Sequence, residues 1–422
     1  MVDIRRRGKE RALAGLKGTY CIVGIGETSY SRNSGRSTRS LGTEAVRRAM
    51  HDAGLQPWEI DGMLNYHVGD STLSQTIAGD LGIRLDFYTD TFGGGASTEV
   101  IVGLAIGAIE AGMCHTVAIY RSMNGYSQLR QGGSTGGIRP PATVVTGPEL
   151  DTLPYGVSSP AQNFQLTFAR HMYEYGTTNE QLARVKVAGS HHASNNPRAY
   201  YKQRVTVDDV LSSRWIVKPA CHLLDCCVET DNATCLIVTS ADRARHLKQR
   251  PISILSVAGR VNKPFPAMMA HYQCDPITRQ AGYYAGRVAF RNAGVEPDDI
   301  DVTGCYDAFT FTPVLLFEGY GFCREGEGGE YVSSGIIELG GSRPNNTSGG
   351  QLCEGYTHGM NLVIENVRQL RHQADDSCPG WERGEHTYDY SEGGCRQVKD
   401  AELAMNMGWG TPAVSSALVL AR

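Results

Sequence analysis

Two stretches of this chain, 240 residues apart, are copies of one another. Residues 45–66 read AVRRAMHDAGLQPWEIDGMLNY, and residues 285–306 read AGRVAFRNAGVEPDDIDVTGCY. Aligned without a gap, nine of the twenty-two residues coincide: Ala45/Ala285, Arg47/Arg287, Ala49/Ala289, Ala53/Ala293, Gly54/Gly294, Pro57/Pro297, Ile60/Ile300, Asp61/Asp301 and Tyr66/Tyr306. Solenoid units run about 20–50 residues, so a period this long means two copies of a whole domain.

Each copy follows the same local logic. A helix packing through small residues ends at Gly54 or Gly294, where glycine tolerates the left-handed turn of a helix C-terminus. A proline then stops its continuation, and the Ile-Asp step leads into a strand. Before each helix stands an apolar run, Tyr20 to Gly26 or Ile252 to Val257. Thr116 to Tyr120, Cys235 to Ser240 and Ser416 to Leu420 also read as buried strands. Strands alternating with helices predict an α/β sheet covered by helices. The halves are expected at 18–243 and 251–422, with the boundary near Ala241–Arg250. About 115 residues lie between the strands ending near Tyr120 and beginning at Cys235. They open on a Gly/Pro-rich stretch (132–141) and hold a helix at Pro160–Tyr175, so the insertion at about 121–220 is expected to form a lid or binding region.

Composition narrows the functional classes. A net charge of −4 gives no long-range pull toward nucleic acid or an anionic membrane. The basic segment Met1 to Gly18 has no apolar core behind it, and no run approaches the ~20 apolar residues of a membrane span. The chain is expected in the cytoplasm. Fifty glycines, clustered in runs such as Gly93–Gly95, Gly132-Gly133 and Gly349-Gly350, predict tight turns and close backbone approach. Twelve cysteines form no CxxC pair, and no histidine pair completes a zinc site, which predicts buried or free thiols. His191-His192 reads as a partly buried helix face, since adjacent residues on a helix point apart.

With the duplication in place, several motifs resemble the thiolase superfamily, and within it the sterol-carrier or lipid-transfer type. CIVGIGETSYSRNSGRS (21–37) resembles the first strand and loop; GGGASTEVIVGLAIGAIEAG (93–112), the nucleophile loop and helix; HLLDCCVETDNATCLIVTS (222–240), the strand pair closing the first half. YDAFT (306–310), SGGQLCEGYTHGMN (348–361) and NMGWG (406–410) resemble the three active-site loops of the second half. The likeness implies a thiolase fold, two βαβαβαββ halves stacked as a five-layered αβαβα core.

A thiolase holds a cysteine thiolate at the N-terminus of a buried helix, where the dipole and free N–H groups stabilise its charge. Here that position falls on Gly95; Ser97 is nearby but would need a base. The histidine of the family's GHP loop is replaced by Tyr356, followed by Thr357 and His358. The loop that begins with histidine in the lipid-transfer group begins with Tyr306-Asp307. The second catalytic cysteine is replaced by Asn406. Without a thiol, acyl transfer is not expected. Phenols suit a retro-aldol cleavage, in which backbone N–H groups hold an enolate oxygen while acids and bases move protons.

The YDAF and GYTHG motifs further resemble the steroid side-chain-cleaving aldolases. That resemblance implies a carbon–carbon lyase acting on a β-hydroxyacyl-CoA steroid, releasing a ketone or aldehyde plus propionyl-CoA or acetyl-CoA. Tyr306 and Tyr356 would be catalytic, with Asp307 and His358 as tuning partners and Glu354 ambiguous. Gly95, Asn406, Gly408 and Gly410 would form the oxyanion and substrate-binding surface. It also implies a homodimer through the core and a small zinc-ribbon/OB-fold partner giving a heterotetramer; any zinc would belong to the partner, and this chain would bind no cofactor beyond its CoA thioester substrate. Two rivals remain at this stage: a non-catalytic acyl-CoA-binding scaffold, and a thiolase using an unorthodox nucleophile such as Cys353.

Overall fold

In the computed structural model, residues 16, 18–128, 153–157, 159–261, 274, 276–374, 378, 387–391 and 393–422 are described. The Gly/Pro-rich stretch 132–141 and all but residues 16 and 18 of the basic N-terminal segment lie outside them. The strands are β1 (Tyr20–Glu27), β2 (Gly62–His67), β3 (Phe87–Phe92), β4 (Thr116–Asn124), β5 (Trp215–Val217), β6 (Cys221–His222), β7 (Asp231–Ser240), β8 (Ile252–Val261), β9 (Val302–Cys305), β10 (Leu403–Thr411) and β11 (Val414–Ala421). β5 and β6 pair alone; the others form one sheet in the order β3-β2-β4-β7-β1-β8-β11-β10-β9.

Read outward from its middle, that order repeats: β1-β7-β4-β2-β3 on one side, β8-β11-β10-β9 on the other. The wings join through only two residue pairs, Cys21 with Ser253 and Ile22 with Ile252. The place of β3 is taken in the second wing by a single parallel bridge between Thr303 and Asn345. The duplicated helices, α1 (Thr38–Ala53) in the first wing and its counterpart in the second, end at Gly54 (φ 76°) and Gly294 (φ 72°). Each is followed by a 3₁₀ turn opened by Pro57 or Pro297.

The remaining long helices are α2 (Ser74–Leu81), α3 (Thr98–Glu110), α4 (Pro160–Tyr175), α5 (Asn179–Ser194), α6 (Ala281–Ala293), α7 (Phe311–Tyr320) and α8 (Met360–Arg371). α1 covers the first wing and α6 the second, while α3 and α8 each touch strands of both wings. These two helices are therefore the elements on which both wings pack. Ile101, Val102 and Ala105 of α3 and Met360, Val363 and Val367 of α8 accordingly share one core with Leu64, Leu236, Ile254 and Leu418. Full burial of each large aliphatic side chain contributes about 1.5–3 kcal/mol. This puts the N-terminus of α3 at the centre of the molecule.

The described helices of the insertion, α4 and α5, pack into the body. α4 and α5 begin with capping boxes, Ser159 with Gln162 and Thr178 with Gln181. Phe168 of α4 stacks on Phe311, and Phe164 meets Phe309 and Trp409 at ring distances of 6.2 and 4.7 Å.

Three expectations need correction. Residues 222–240 contain one long strand rather than a pair, because the backbone of 225–228 is used to clamp second-half loops. Cys227 N–H donates to Ala308 O, Val228 N–H to Gln351 O, and Asp225 O accepts from Thr310 N–H. The NMGWG motif lies within strand β10, not in a loop, because both β9 and β11 pair with it. Cys378 and Cys395 form a disulfide, brought together by tertiary folding that no local cysteine pattern reports. Among the described residues no helix is long and apolar enough to cross a membrane.

Candidate active site

Tyr306 emerges from the end of β9. Its N–H donates to Met407 O at 2.9 Å, and Asn346 pins the preceding residue by exchanging bonds with both Cys305 backbone groups, each 2.8 Å. Tyr356 is set by its N–H to Val228 O (3.0 Å) and by Asn232 Nδ2 donating to its carbonyl (2.9 Å). The two buried phenols meet, oxygen to oxygen, at 2.9 Å. Burial pushes both above the ordinary range for tyrosine. Their bond eases the ionisation of Tyr306 and opposes that of Tyr356.

Gly95 lies directly against this pair, in the turn before α3. A β-carbon there would overlap Cε2 and Cζ of Tyr306 and come within 2.5 Å of the Trp409 carbonyl oxygen. The volume that a nucleophile's side chain would need is therefore filled by the Tyr306 ring. Gly95 and Ala96 N–H groups find no acceptor among the described residues, and they stand beside the first turn of α3, where Ser97 supplies no side-chain cap.

The other expected site residues divide. Asp307 does not touch the phenols: it accepts from Gln351 N–H (2.8 Å) and Leu352 N–H (3.4 Å), holding the 348–353 segment. Burial lifts its carboxyl to about 6 despite those donors. His358 stacks obliquely on Tyr356, ring centres 4.9 Å apart, and sits in the left-handed region at φ 59°. Gly408 lies beside the Gly95 carbonyl, and Gly410 beside Ala96. Asn406 points at Gly304, accepts from Asn366 Nδ2 (3.1 Å) and leaves its own Nδ2 unpaired and buried. Glu354 belongs to a separate buried network, accepting from Ser348, Asn361 and Asn196. Burial and then Glu27 raise it to about 7. Cys353 is fully buried near Lys186 and Gly189.

The sequence reading missed a group behind His358. Arg121 of β4, wholly buried, donates to His358 Nδ1 from Nε (3.3 Å) and Nη2 (3.1 Å), and to Asp70 Oδ2 at 2.6 Å. Burial disfavours the Asp70 charge, but its neighbours, Arg121 foremost and the Val68 N–H among them, together hold the carboxyl low. An arginine directly after the apolar run Thr116–Tyr120 was the available signal. Tyr66, the repeat mate of Tyr306, bonds Thr98 Oγ1 at 2.7 Å, and that hydroxyl donates to His358 O (2.7 Å). The two copied tyrosines thus lie on the two sides of one loop, Tyr66 bonded into the frame through Thr98 and Tyr306 against Gly95. Glu99 was also missed; buried beneath Gly408 with a bond from Ser416 Oγ (2.7 Å), it is pushed by burial to about 8. Among the described residues no group of three or more His, Cys, Asp or Glu is placed to hold a metal.

Residues 267–382 match the thiolase C-terminal domain-like family. The chain is 38% identical over 359 residues to 17-hydroxy-3-oxo-4-pregnene-20-carboxyl-CoA lyase of Mycobacterium tuberculosis, covering 84% of this chain and 92% of that one. It is 37% identical to a steroid side-chain-cleaving aldolase of Thermomonospora curvata, covering 84% and 91%. A solved structure described as Ltp2-ChsH2(DUF35) aldolase superposes with a TM-score of 0.83 at 34% identity, over 96% of this chain and 98% of that one. With a tyrosine ring where a thiolase carries its sulfur, and with these relatives matched over most of their length, the chain belongs to the steroid side-chain-cleaving aldolases of the thiolase superfamily.

Proposed function

We propose that this protein is a retro-aldol lyase. It cleaves a β-hydroxyacyl-CoA on a steroid side chain to a ketone or aldehyde plus propionyl-CoA or acetyl-CoA. The observation that carries the reading is the Tyr306–Tyr356 pair seated on Gly95. The reaction is neutral overall: the proton lost from the β-hydroxyl equals the one gained at Cα. Two un-ionised phenols in a hydrogen bond can therefore relay it. The β-hydroxyl gives its proton to one phenol oxygen, that phenol passes its own to the second, and the second delivers a proton to Cα. The transfers run in concert: the Cβ–O bond becomes a carbonyl, the Cα–Cβ pair moves toward the thioester with enolate character, and the second phenol's proton closes it at Cα. No resting phenolate is required, which accords with burial holding both phenols protonated. N–H groups around Gly95 and the start of α3 face the enolate oxygen, with Gly408 and Gly410 shaping the strand beside it; Asn406 supports from below. Asp307 acts by fixing the Tyr306 and Tyr356 loops against each other.

In this reading the halves run 18–243 and 251–422, and the enzyme is cytoplasmic. It forms a homodimer through the core, and the edge strand β3 supports this. Among the described residues its outer side is unpaired, and Phe92 (81% exposed), Tyr88, Val100 and Leu104 present apolar surface nearby. The two-component description of the solved relative supports a partner protein, which in this reading is a small zinc-ribbon/OB-fold protein giving a heterotetramer, with any zinc on its side. The burial of Cys353 weighs against the thiolase alternative.

The test is to incubate the chain, alone and co-expressed with such a partner, with a panel of β-hydroxyacyl-CoA steroids. Mass spectrometry should find the shortened CoA ester and the carbonyl fragment in equal amounts. A partner-bound protein that leaves the whole panel intact would overturn the proposal.

A further inference from the structure

The Arg121–His358 contact has a chemical consequence for the site. A guanidinium has five N–H donors and no acceptor, so the nitrogen it faces must offer a lone pair. His358 Nδ1 receives both Arg121 bonds. The ring is thereby held neutral with its proton on Nε2. Asp70 keeps Arg121 in place from the opposite side, Arg121 lies over the Tyr66 ring at 5.7 Å, and Thr98 Oγ1 anchors the His358 carbonyl. Among the described residues nothing accepts from Nε2. That nitrogen faces Gly94, where a β-carbon would stand 3.5 Å away, next to the Gly95 turn and the Tyr356 ring. A non-glycine residue at φ 59° is uncommon and costs backbone strain, of the kind that gathers at functional sites.

The geometry points to His358 as a neutral electrophilic catalyst: its Nε2–H donates to the thioester oxygen and strengthens as that oxygen becomes an enolate. Arg121, with Asp70 behind it, is the positioning residue that fixes the tautomer and keeps the ring from charging. This rests on the aldolase reading and adds to it a side-chain oxyanion donor. The charged and titratable groups around the ring agree with it. Arg121 on β4 opposes a second positive charge; Asp70, following β2, favours one but is spent on Arg121; Tyr356 is uncharged; and burial, the largest influence, lowers His358 to about 3. A neutral imidazole donor also suits an enolate, because it stabilises the anion without protonating it at oxygen.

Three measurements test this. In ¹⁵N NMR the His358 ring, assigned by its disappearance in His358→Gln, should show protonated Nε2 and bare Nδ1 with no titration from about pH 5 to 9. His358→Phe should lose about 10²–10³ in kcat, the cost of one oxyanion donor, and His358→Gln, which keeps an N–H, should recover at least about tenfold of that. Arg121→Met combined with Asp70→Asn, which removes the ion pair without stranding a charge, should move the acidic limb of the kcat profile to higher pH than in wild type, though not as far as a free imidazole because burial remains. A wild-type ring titrating near 6.5, or His358→Phe turning over within about threefold of wild type, overturns the proposal. If wild type cleaves nothing, the aldolase reading fails separately. The donor is then read from the thioester carbonyl stretch of a bound saturated acyl-CoA, lowered in wild type and not in His358→Phe; equal frequencies overturn it.

Discussion

Alanine at Gly95 is the smallest change that asks whether a phenol has displaced the nucleophile. Its methyl would meet the Tyr306 ring on one side and the Trp409 carbonyl on the other. The carbonyl belongs to β10, held at that point by antiparallel pairing with β11, Trp409 opposite Ser415, so it yields less readily than a side-chain ring. The ring must yield, and with it the 2.9 Å bond to Tyr356. Overpacking of this kind costs about 1–3 kcal/mol of stability. A reacting group moved by about 1 Å costs on the order of 10²-fold in rate. Gly95→Ala should therefore fold with a midpoint lowered by a few degrees and lose at least about 10² in kcat. Thermal unfolding and turnover would be measured on Gly95→Ala, Tyr306→Ala and the double variant. If the ring is the obstacle, removing it relieves part of the glycine substitution, with a coupling of at least about 1 kcal/mol. Stability costs that simply add, or a Gly95→Ala enzyme at wild-type rate, would refute the reasoning.

Tyr306→Phe and Tyr356→Phe should each lower kcat by about 10²–10⁴ while costing only about 1 kcal/mol of stability; equal losses in the pair and in either single variant would mark a relay, whereas full activity in either would exclude it. Burial raises Glu99 from 4.5 to about 8, so the fold holds that proton more tightly than the unfolded chain does. The resulting destabilisation is absent below pH 4.5, grows as pH rises toward 8 and then levels off. Glu99→Gln should therefore stabilise by about 3 kcal/mol at pH 7 and by almost nothing at pH 4. Denaturant unfolding at several pH values checks this, and a pH-independent difference would contradict it. Phe92→Lys on the edge strand should shift sedimentation toward monomer; an unchanged profile would remove β3 from the interface.

Much of the fold was legible because duplication, helix stops and apolar runs are local signals. The Gly54 and Gly294 stops, the strand starting at Tyr20 and the helix at Pro160–Tyr175 each follow from residues a few positions apart. The misreadings share one cause. Residues 225–228 spend their backbone bonds on loops some 80–125 residues away, as Cys227 to Ala308 and Val228 to Gln351 show, so no local pattern could mark them as other than strand. The Cys378–Cys395 pair was hidden for the same reason.

At the site, the resemblance of the sequence motifs to those of thiolases implied that the sulfur is gone and that Tyr306 and Tyr356 stand where histidines are usual. Composition cannot report distance, however. That the Tyr306 ring occupies the space above Gly95, that its oxygen meets Tyr356, and that Arg121 reaches His358 across 237 positions are consequences of the two wings packing on α3 and α8. Side-chain identity sets what chemistry is possible. Close packing of segments remote in the chain selects which groups touch, and burial there sets which of them keep their protons.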